Sequence, residues 1–262
     1  MRRIFQRLVE KERPRVLVMC GDEAPARAMA NALAASLTEC GLCFAEEKLL
    51  SLGRGLSFSR RRLRNKGPVS LLGCYAYYLR GFARGVTGSE KAIRRLYEPS
   101  VHTASLSRDP AVASLVADFG PDLIVIGFCG VLAPGFLRAL PCPVLNIHPG
   151  INPRYRGHGN IWAYYEDNPA LAGYTIHEVD EGVDTGNPVA VAPLDFTGVA
   201  FEDIDIHAAE AAAGRLARLI RGEEEPFVPE MFTGLPSRFY GVPTLGEYMK
   251  ARRNYRRLVH AR

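Results

Sequence analysis

Asp122-Leu123-Ile124-Val125-Ile126-Gly127 and Pro143-Val144-Leu145-Asn146-Ile147 are two short apolar runs bounded by proline and glycine. Continuous runs of this length read as strands buried on both faces. Asp109 to Phe119 reads as a helix ahead of the first. Upstream, Arg15 to Cys20 reads as a third buried strand, and the alanine-rich stretch from Ala24 to Cys40 as the helix that crosses over from it. Buried strands separated by helices predict an α/β architecture, a mostly parallel sheet flanked by helices.

Working outward, Gly173 to Val179 alternates like a half-buried strand, Pro188 to Pro193 is its expected partner, and Phe201 to Arg221 has the alanine-leucine periodicity of a closing helix. Between Ser57 and Leu96 the pattern changes to an arginine-rich stretch, a glycine-proline break and the tyrosine-bearing run Leu71 to Leu79, which reads as a helical insertion over about 54–98. The expected organisation is a catalytic domain over 1–221 and a short irregular C-terminal extension over 222–262, rich in proline, glycine and aromatics. No internal repeat or low-complexity linker interrupts it.

A chain of 262 residues is large enough to bury a substantial core, and 47% hydrophobic with 23% charged residues is ordinary for a globular protein. No apolar run reaches the roughly 20 residues of a membrane helix. The basic start, Met1 to Leu8, is followed by Glu10 to Arg15 where a secretory signal needs its apolar segment, so the expectation is a cytoplasmic protein without membrane contact. Six cysteines, Cys20, Cys40, Cys43, Cys74, Cys129 and Cys142, contain one Cys-x-x-Cys pair, Cys40 and Cys43, expected at the end of the first helix. A zinc site needs a second pair, so no metal is expected and all six read as reduced thiols.

The net charge of +5 is local. One cluster is Arg54, Arg60, Arg61, Arg62, Arg64 and Lys66, and another is Lys250, Arg252, Arg253, Arg256, Arg257 and Arg262. Removing those twelve from the 33 basic residues leaves 21 against 28 acidic ones. Local basicity suits an anionic partner, while a solvated helix face or a mobile tail explains the C-terminal cluster equally well.

The chemistry concentrates between residues 145 and 186. Asn146 and His148, two apart where a strand ends, fall on one face and point into the crevice at the carboxyl end of a parallel sheet, where open α/β sheets bind ligands. An amide and an imidazole converging there can donate to a carbonyl oxygen that becomes an oxyanion under attack by an amine. Asp184, in the glycine-flanked loop Glu181-Gly182-Val183-Asp184-Thr185-Gly186, can keep His148 protonated and accept the proton lost by that amine. Thr175 and His177, at alternate positions of the preceding strand, would fix the carboxylate or a water. Arg154, Tyr155 and Arg156, just past the site, would suit an anionic or aromatic acceptor. Each residue alone has an ordinary reading as turn or surface; the combination is what points to chemistry.

These segments, Asn146-Ile147-His148-Pro149, Pro153-Arg154-Tyr155-Arg156-Gly157, Thr175-Ile176-His177 and Asp180 to Gly186, resemble the folate-dependent formyltransferases, a superfamily that includes methionyl-tRNA formyltransferase, glycinamide ribonucleotide transformylase and the sugar N-formyltransferases. The likeness is dense from about Asp122 to Val191. It implies a Rossmann-like formyltransferase fold and 10-formyltetrahydrofolate as formyl donor, with Asn146 and His148 polarising the formyl oxygen and Asp184 handling the proton. Val131 and Leu132, with the loop Val179, Asp180, Glu181, Gly182 and Asp184, match the segments that line the pterin pocket in that family.

The departures narrow the acceptor. Gly21-Asp22-Glu23-Ala24-Pro25 follows the first strand where glycinamide ribonucleotide transformylases hold a phosphate, and two carboxylates repel one. The chain after Arg221 is too short for the barrel of the methionyl-tRNA enzymes, so nucleic acid is not the expected partner. Gly150-Ile151-Asn152-Pro153 replaces the usual Ser-Leu-Leu-Pro, and Arg60-Arg61-Arg62-Leu63-Arg64 with Pro236-Ser237-Arg238 looks more like stand-alone members without an assigned acceptor. The expected activity is formyl transfer to the amine of a small molecule. Two alternatives stay open: a 10-formyltetrahydrofolate hydrolase, and a non-catalytic folate or nucleotide-binding module. A dinucleotide oxidoreductase fits worse, because no Gly-x-Gly-x-x-Gly follows the first strand.

Overall fold

The computed structural model describes residues 2–21, 23–45, 63–64, 99–103 and 105–259. The expected insertion over about 54–98 lies outside them, apart from two helical residues, Leu63 and Arg64.

Seven strands form one sheet: β1 (Arg15–Cys20), β2 (Glu39–Ala45), β3 (Ser100–Thr103), β4 (Leu123–Gly127), β5 (Val144–His148), β7 (Gly173–Glu178) and β8 (Pro188–Pro193), in spatial order β3-β2-β1-β4-β5-β7-β8. β3 through β5 are parallel, and β7 and β8 run antiparallel to their neighbours. The order reverses between β1 and β4, which places a ligand crevice outside their carboxyl ends. A second, two-stranded sheet pairs β6 (Arg156–Gly157) in parallel with β9 (Phe239–Tyr240).

The alternation along the central strands sorts the core. Val16, Val18, Leu123, Val125, Leu145 and Ile147 face one side, packed with Met29, Ala30 and Leu33 of α2 (Ala24–Ser36) and with Ala208, Ala212 and Leu216 of α6 (Ile204–Ile220). Leu17, Met19, Ile124 and Ile126 face the other, against Val112, Leu115, Val116 and Phe119 of α3 (Pro110–Phe119). Period two thus fills both layers from one strand. α3 begins where the Asp109 carboxylate accepts the Ala111 N–H ahead of Pro110, and ends on Gly120 in the left-handed region, φ 56°. Two shorter helices, α4 (Pro134–Ala139) and α5 (Gly159–Tyr165), complete this part, and α1 (Arg2–Val9) precedes β1.

Two expectations are corrected. The first helix stops at Ser36, because Leu37 turns extended, and Glu39–Ala45 continues as a buried strand beside β1. Cys40 and Cys43 therefore lie in β2, on opposite faces of the sheet, and burial pushes both thiols up to about 12. They cannot share a metal or a disulfide in that arrangement. The second correction is in the C-terminal extension, where the stretch expected to be irregular ends in a fifteen-residue helix, α7 (Leu245–Val259). Ala251, Tyr255 and Val259 repeat every fourth residue and are buried. Thr244 and Glu247 form a capping box: the Glu247 N–H donates to Thr244 Oγ1 at 3.2 Å, and the Thr244 N–H donates to the Glu247 carboxylate at 2.6 Å. Three of the basic residues on this helix are held by protein partners, Arg252 by Glu202 at 3.1 Å, Arg257 by Asp167 at 2.5 Å, and Lys250 over the Tyr165 ring at 3.9 Å, while Arg253 and Arg256 are exposed.

Candidate active site

The antiparallel register of β5 and β7 sets Asn146 opposite His177 and His148 opposite Thr175. An irregularity between Ile176 and His177 in the β7–β8 pairing adjoins the His177 ring, as bulges often do where a side chain is re-aimed. The loop leaving β7 returns Asp184 to these residues. Its Oδ1 accepts from Asn146 Nδ2 at 3.0 Å and lies 3.4 Å from His177 Nε2; its Oδ2 accepts from the Gly157 N–H at 2.9 Å and lies 3.5 Å from His148 Nδ1.

The carbonyl partners fix the protons on both rings, because a carbonyl oxygen only accepts. His148 Nε2 donates to the Tyr155 carbonyl at 2.7 Å, so Nδ1, facing Asp184, is the atom without a proton when the ring is neutral. His177 Nδ1 donates to the Glu178 carbonyl at 2.7 Å, leaving Nε2 to accept from Asn146 Nδ2 at 3.0 Å. Both hydrogens of the Asn146 amide are thereby committed, one to His177 and one to Asp184.

Burial of the Asp184 carboxyl works to raise its pKa, but the His148 ring, His177 and the Gly157 N–H outweigh it and hold the group well below the usual carboxylate range. Burial also pushes His148 below its ordinary 6.5, and the opposing pulls of Asp184 and the Tyr155 carbonyl do not make up the difference. The expectation that Asp184 keeps His148 protonated is thus reversed near neutrality: a neutral imidazole faces an ionised carboxylate. A bare Nδ1 lone pair and a carboxylate oxygen 3.5 Å apart make a vacant proton site, and a proton arriving there would gain an ion pair.

Two glycines press against the His148 ring. A Cβ on Gly150 would lie 2.7 Å from His148 Nε2, 2.8 Å from Gly159 Cα and 2.8 Å from the Tyr155 oxygen; one on Gly159 would lie 2.6 Å from Gly150 Cα. The backbones meet where any side chain would intrude.

The structure places the remaining candidates as follows. Thr175 is fully buried; its hydroxyl donates to the Gly150 carbonyl at 2.7 Å and accepts the Asn152 N–H at 3.0 Å, which holds the turn after β5. Tyr155 is enclosed as well, and its hydroxyl donates to Glu166 at 3.0 Å. Arg154 also reaches Glu166, at 2.7 Å, and Arg156 donates to the Val183 carbonyl at 3.0 Å. Enclosure leaves Thr175 and Tyr155 no open face, whereas the partly exposed guanidinium groups of Arg154 and Arg156 each brace the protein through one hydrogen bond. Leu132 is buried in a cluster that Val179 packs against, with Val131 exposed beside it, so the two stretches expected at the pterin pocket meet. Asp180 Oδ1 accepts from the Gly182 N–H at 3.0 Å and from Thr185 Oγ1 at 2.6 Å, and Glu181 is paired with Arg138 of α4.

Reading the sequence missed the Gly157 N–H, since a backbone donor has no residue signature, and missed Glu166. It also missed Phe239, an exposed aromatic paired in register with Arg156 and packed over Gly157.

Open α/β sheets that gather an amide, two imidazoles and an ionised carboxylate at the carboxyl end of a central strand are suited to group transfer at a carbonyl. Residues 82–199, the stretch that holds Asn146, His148, His177 and Asp184, match the Formyl transferase family. The chain is 30% identical over 149 residues to the methionyl-tRNA formyltransferase of Aromatoleum aromaticum, an alignment covering 53% of this chain and 47% of that protein. The chain spans less than half the length of the curated relatives it matches. Among solved structures, the fold is similar to that of a phosphoribosylglycinamide formyltransferase from Anaplasma phagocytophilum, with TM-score 0.52, 17% identity, and coverage of 88% of this chain and all of that one. It is also similar to a 4-N formyltransferase from Francisella tularensis, with TM-score 0.51, 11% identity, and coverage of 91% and 86%. Both likenesses bear on the fold alone. Among the described residues no helix is long and apolar enough to cross a membrane.

Proposed function

We propose that this protein transfers a formyl group from 10-formyltetrahydrofolate to the amine of a small molecule. The observation that carries the reading is the vacant proton site between His148 Nδ1 and Asp184 Oδ2, set beside an amide that can donate to a carbonyl. The donor supplies an activated formyl carbon on an amine nitrogen. The contiguous apolar wall of Leu132 and Val179, with Val131 exposed at its edge, and the tight loop through Asp180 and Gly182 suit the flat face and polar edge of a pterin.

In this reading the acceptor amine forms a bond to the formyl carbon while the formyl oxygen takes the carbonyl electron pair. Asn146 turns one amide hydrogen from Asp184 or His177 toward that oxygen, an exchange of partners of the kind that accompanies substrate binding. The proton leaving the amine passes to the His148–Asp184 pair, making an imidazolium beside a carboxylate. Returned to the departing nitrogen, the same proton lets the original carbon–nitrogen bond break, so the pair ends as it began. His177, within reach of both, helps hold the Asn146 amide and the carboxylate in place.

The test follows an isotopically labelled formyl carbon by NMR in the presence of a panel of amino-sugar nucleotides and metabolite amines. Label arriving in a new formamide supports transfer; label arriving in formate without regard to the amine supports the hydrolase instead; donor that binds and stays intact across the panel supports a binding module.

A further inference from the structure

Asp184 lies in the left-handed region, φ 52°, without being a glycine. A non-glycine residue there is strained, and an Asp usually relieves the strain with a local hydrogen bond from its own side chain. Here both carboxylate oxygens are spent on distant partners, Asn146 and Gly157, so the conformation is imposed from outside. The peptide entering Asp184 carries the Val183 carbonyl, and its orientation sets φ of residue 184. Arg156 Nη1 donates to that carbonyl at 3.0 Å. Its Nε is buried with no hydrogen-bond partner, and the guanidinium makes no ion pair with the Asp184 carboxylate. A partly buried guanidinium thus holds one backbone carbonyl while its Nε is left without a partner.

Arg156 and Gly157 together make up β6, and β6 is held by the C-terminal extension. The Arg156 N–H donates to the Arg238 carbonyl at 3.1 Å, the His158 N–H to the Tyr240 carbonyl at 3.1 Å, and the Arg238 N–H to the Pro153 carbonyl at 3.1 Å. Gly157 has φ 84°, and a Cβ there would sit 2.2 Å from the Tyr240 oxygen, so β9 lies directly against the residue whose N–H binds Asp184.

We infer that Arg156 is a positioning residue, and that the β6–β9 pair sets the peptide and carboxylate of Asp184, making the C-terminal extension part of the site's support. The inference deepens the formyl-transfer reading and rests on it for its effect on rate, but the geometry is testable without turnover. The full chain and its Arg156→Met and Arg156→Gln variants are compared by amide-proton NMR, with the Gly157 resonance recognised as the one that moves in Asp184→Asn. Loss of the Val183 contact is expected to shift that resonance upfield and to lower its exchange protection about tenfold, while β1 and β4 amides keep theirs.

Trp162 stacks on Tyr240 with ring centroids 4.9 Å apart and donates to the Gly241 carbonyl at 3.0 Å, so unchanged tryptophan emission reports that β9 is still seated. In turnover, kcat is expected to fall about tenfold in Arg156→Met with the donor KM held within twofold, and Arg156→Lys to recover part of it. If either neutral variant folds, keeps the Trp162 emission and leaves the Gly157 resonance and protection where they were, the inference is overturned. A chain that shows no formyl transfer but loses Gly157 protection keeps the inference and overturns the functional reading.

Discussion

Asp184 and Glu166 are two carboxylates served by the same short segment, residues 154–157, yet their surroundings differ in kind. Glu166 receives Arg154 at 2.7 Å, Arg238 at 3.2 Å and the hydroxyls of Tyr155 at 3.0 Å and Tyr240 at 2.5 Å. Burial would raise its pKa, but those hydroxyls and Arg154 outweigh it. Asp184 meets no guanidinium directly; it faces an amide, a backbone N–H and two imidazoles. Both groups are held ionised, but a cation-locked carboxylate ties the end of α5 to the residues just ahead of β6 and to β9, whereas a carboxylate beside a neutral imidazole can pass a proton on. Which partner supplies the charge separates a structural knot from a reactive group.

The largest effect that would break this contrast is expected at Asp184→Asn, which removes the proton site and should lower the transfer rate by about 10²–10⁴-fold with the fold intact by circular dichroism. Asn146→Ala comes next, with a loss of about 10²–10³-fold from a missing oxyanion donor and little change in melting. Glu166→Gln should do the opposite: turnover within about threefold of the parent, but stability lowered on the order of 1–2 kcal/mol in urea unfolding, because two arginines lose their shared anion. Gly159→Ala or Gly150→Ser forces an added carbon into the backbone contact beside His148, and is expected to cost roughly 1–3 kcal/mol together with activity.

The smallest effects concern pH. His148 and Asp184 both bind fewer protons folded than unfolded, so their contribution to stability is present above their unfolded values and is lost as pH falls, from 6.5 downward for the imidazole and from 3.8 downward for the carboxylate. Asp205 has the reverse sign. Burial pushes its carboxyl up to about 6 despite the Asn160 amide 3.2 Å away, so the folded state is favoured when it is protonated and loses stability as pH rises from 3.8 through 6. Asp205→Asn should remove that slope and leave the variant more stable than the parent at pH 8 by on the order of 1 kcal/mol, an advantage absent at pH 4. Melting measured at the two pH values decides it.

How much of this is legible in the chain follows from where each signal resides. The strand runs through Val16, Ile124 and Leu145 are visible because parallel strands buried on both faces are apolar throughout. β2 was hidden because its apolar run begins three residues after an alanine-rich helix, and α7 because its periodicity is set among arginines; the Thr244-x-x-Glu247 capping box was the available sign. At the site, the spacing of Asn146 and His148 carries their shared face, and the resemblance carries Asp184. The order of proton affinities does not show in residue types: the ring beside Asp184 is neutral because of burial, and burial is a property of the assembled fold. The brace roles of Arg154 and Arg156 were equally invisible, since a guanidinium facing a carbonyl or a carboxylate of its own chain reads the same as one awaiting a ligand.

The most direct measurement is tetrahydrofolate release from 10-formyltetrahydrofolate, followed by absorbance with and without the amine panel, in the parent, Asp184→Asn and Glu166→Gln side by side. The account predicts amine-dependent release in the parent and in Glu166→Gln and none above background in Asp184→Asn. Release by Asp184→Asn at the parent's rate, or its loss in Glu166→Gln while that variant remains folded, would contradict it.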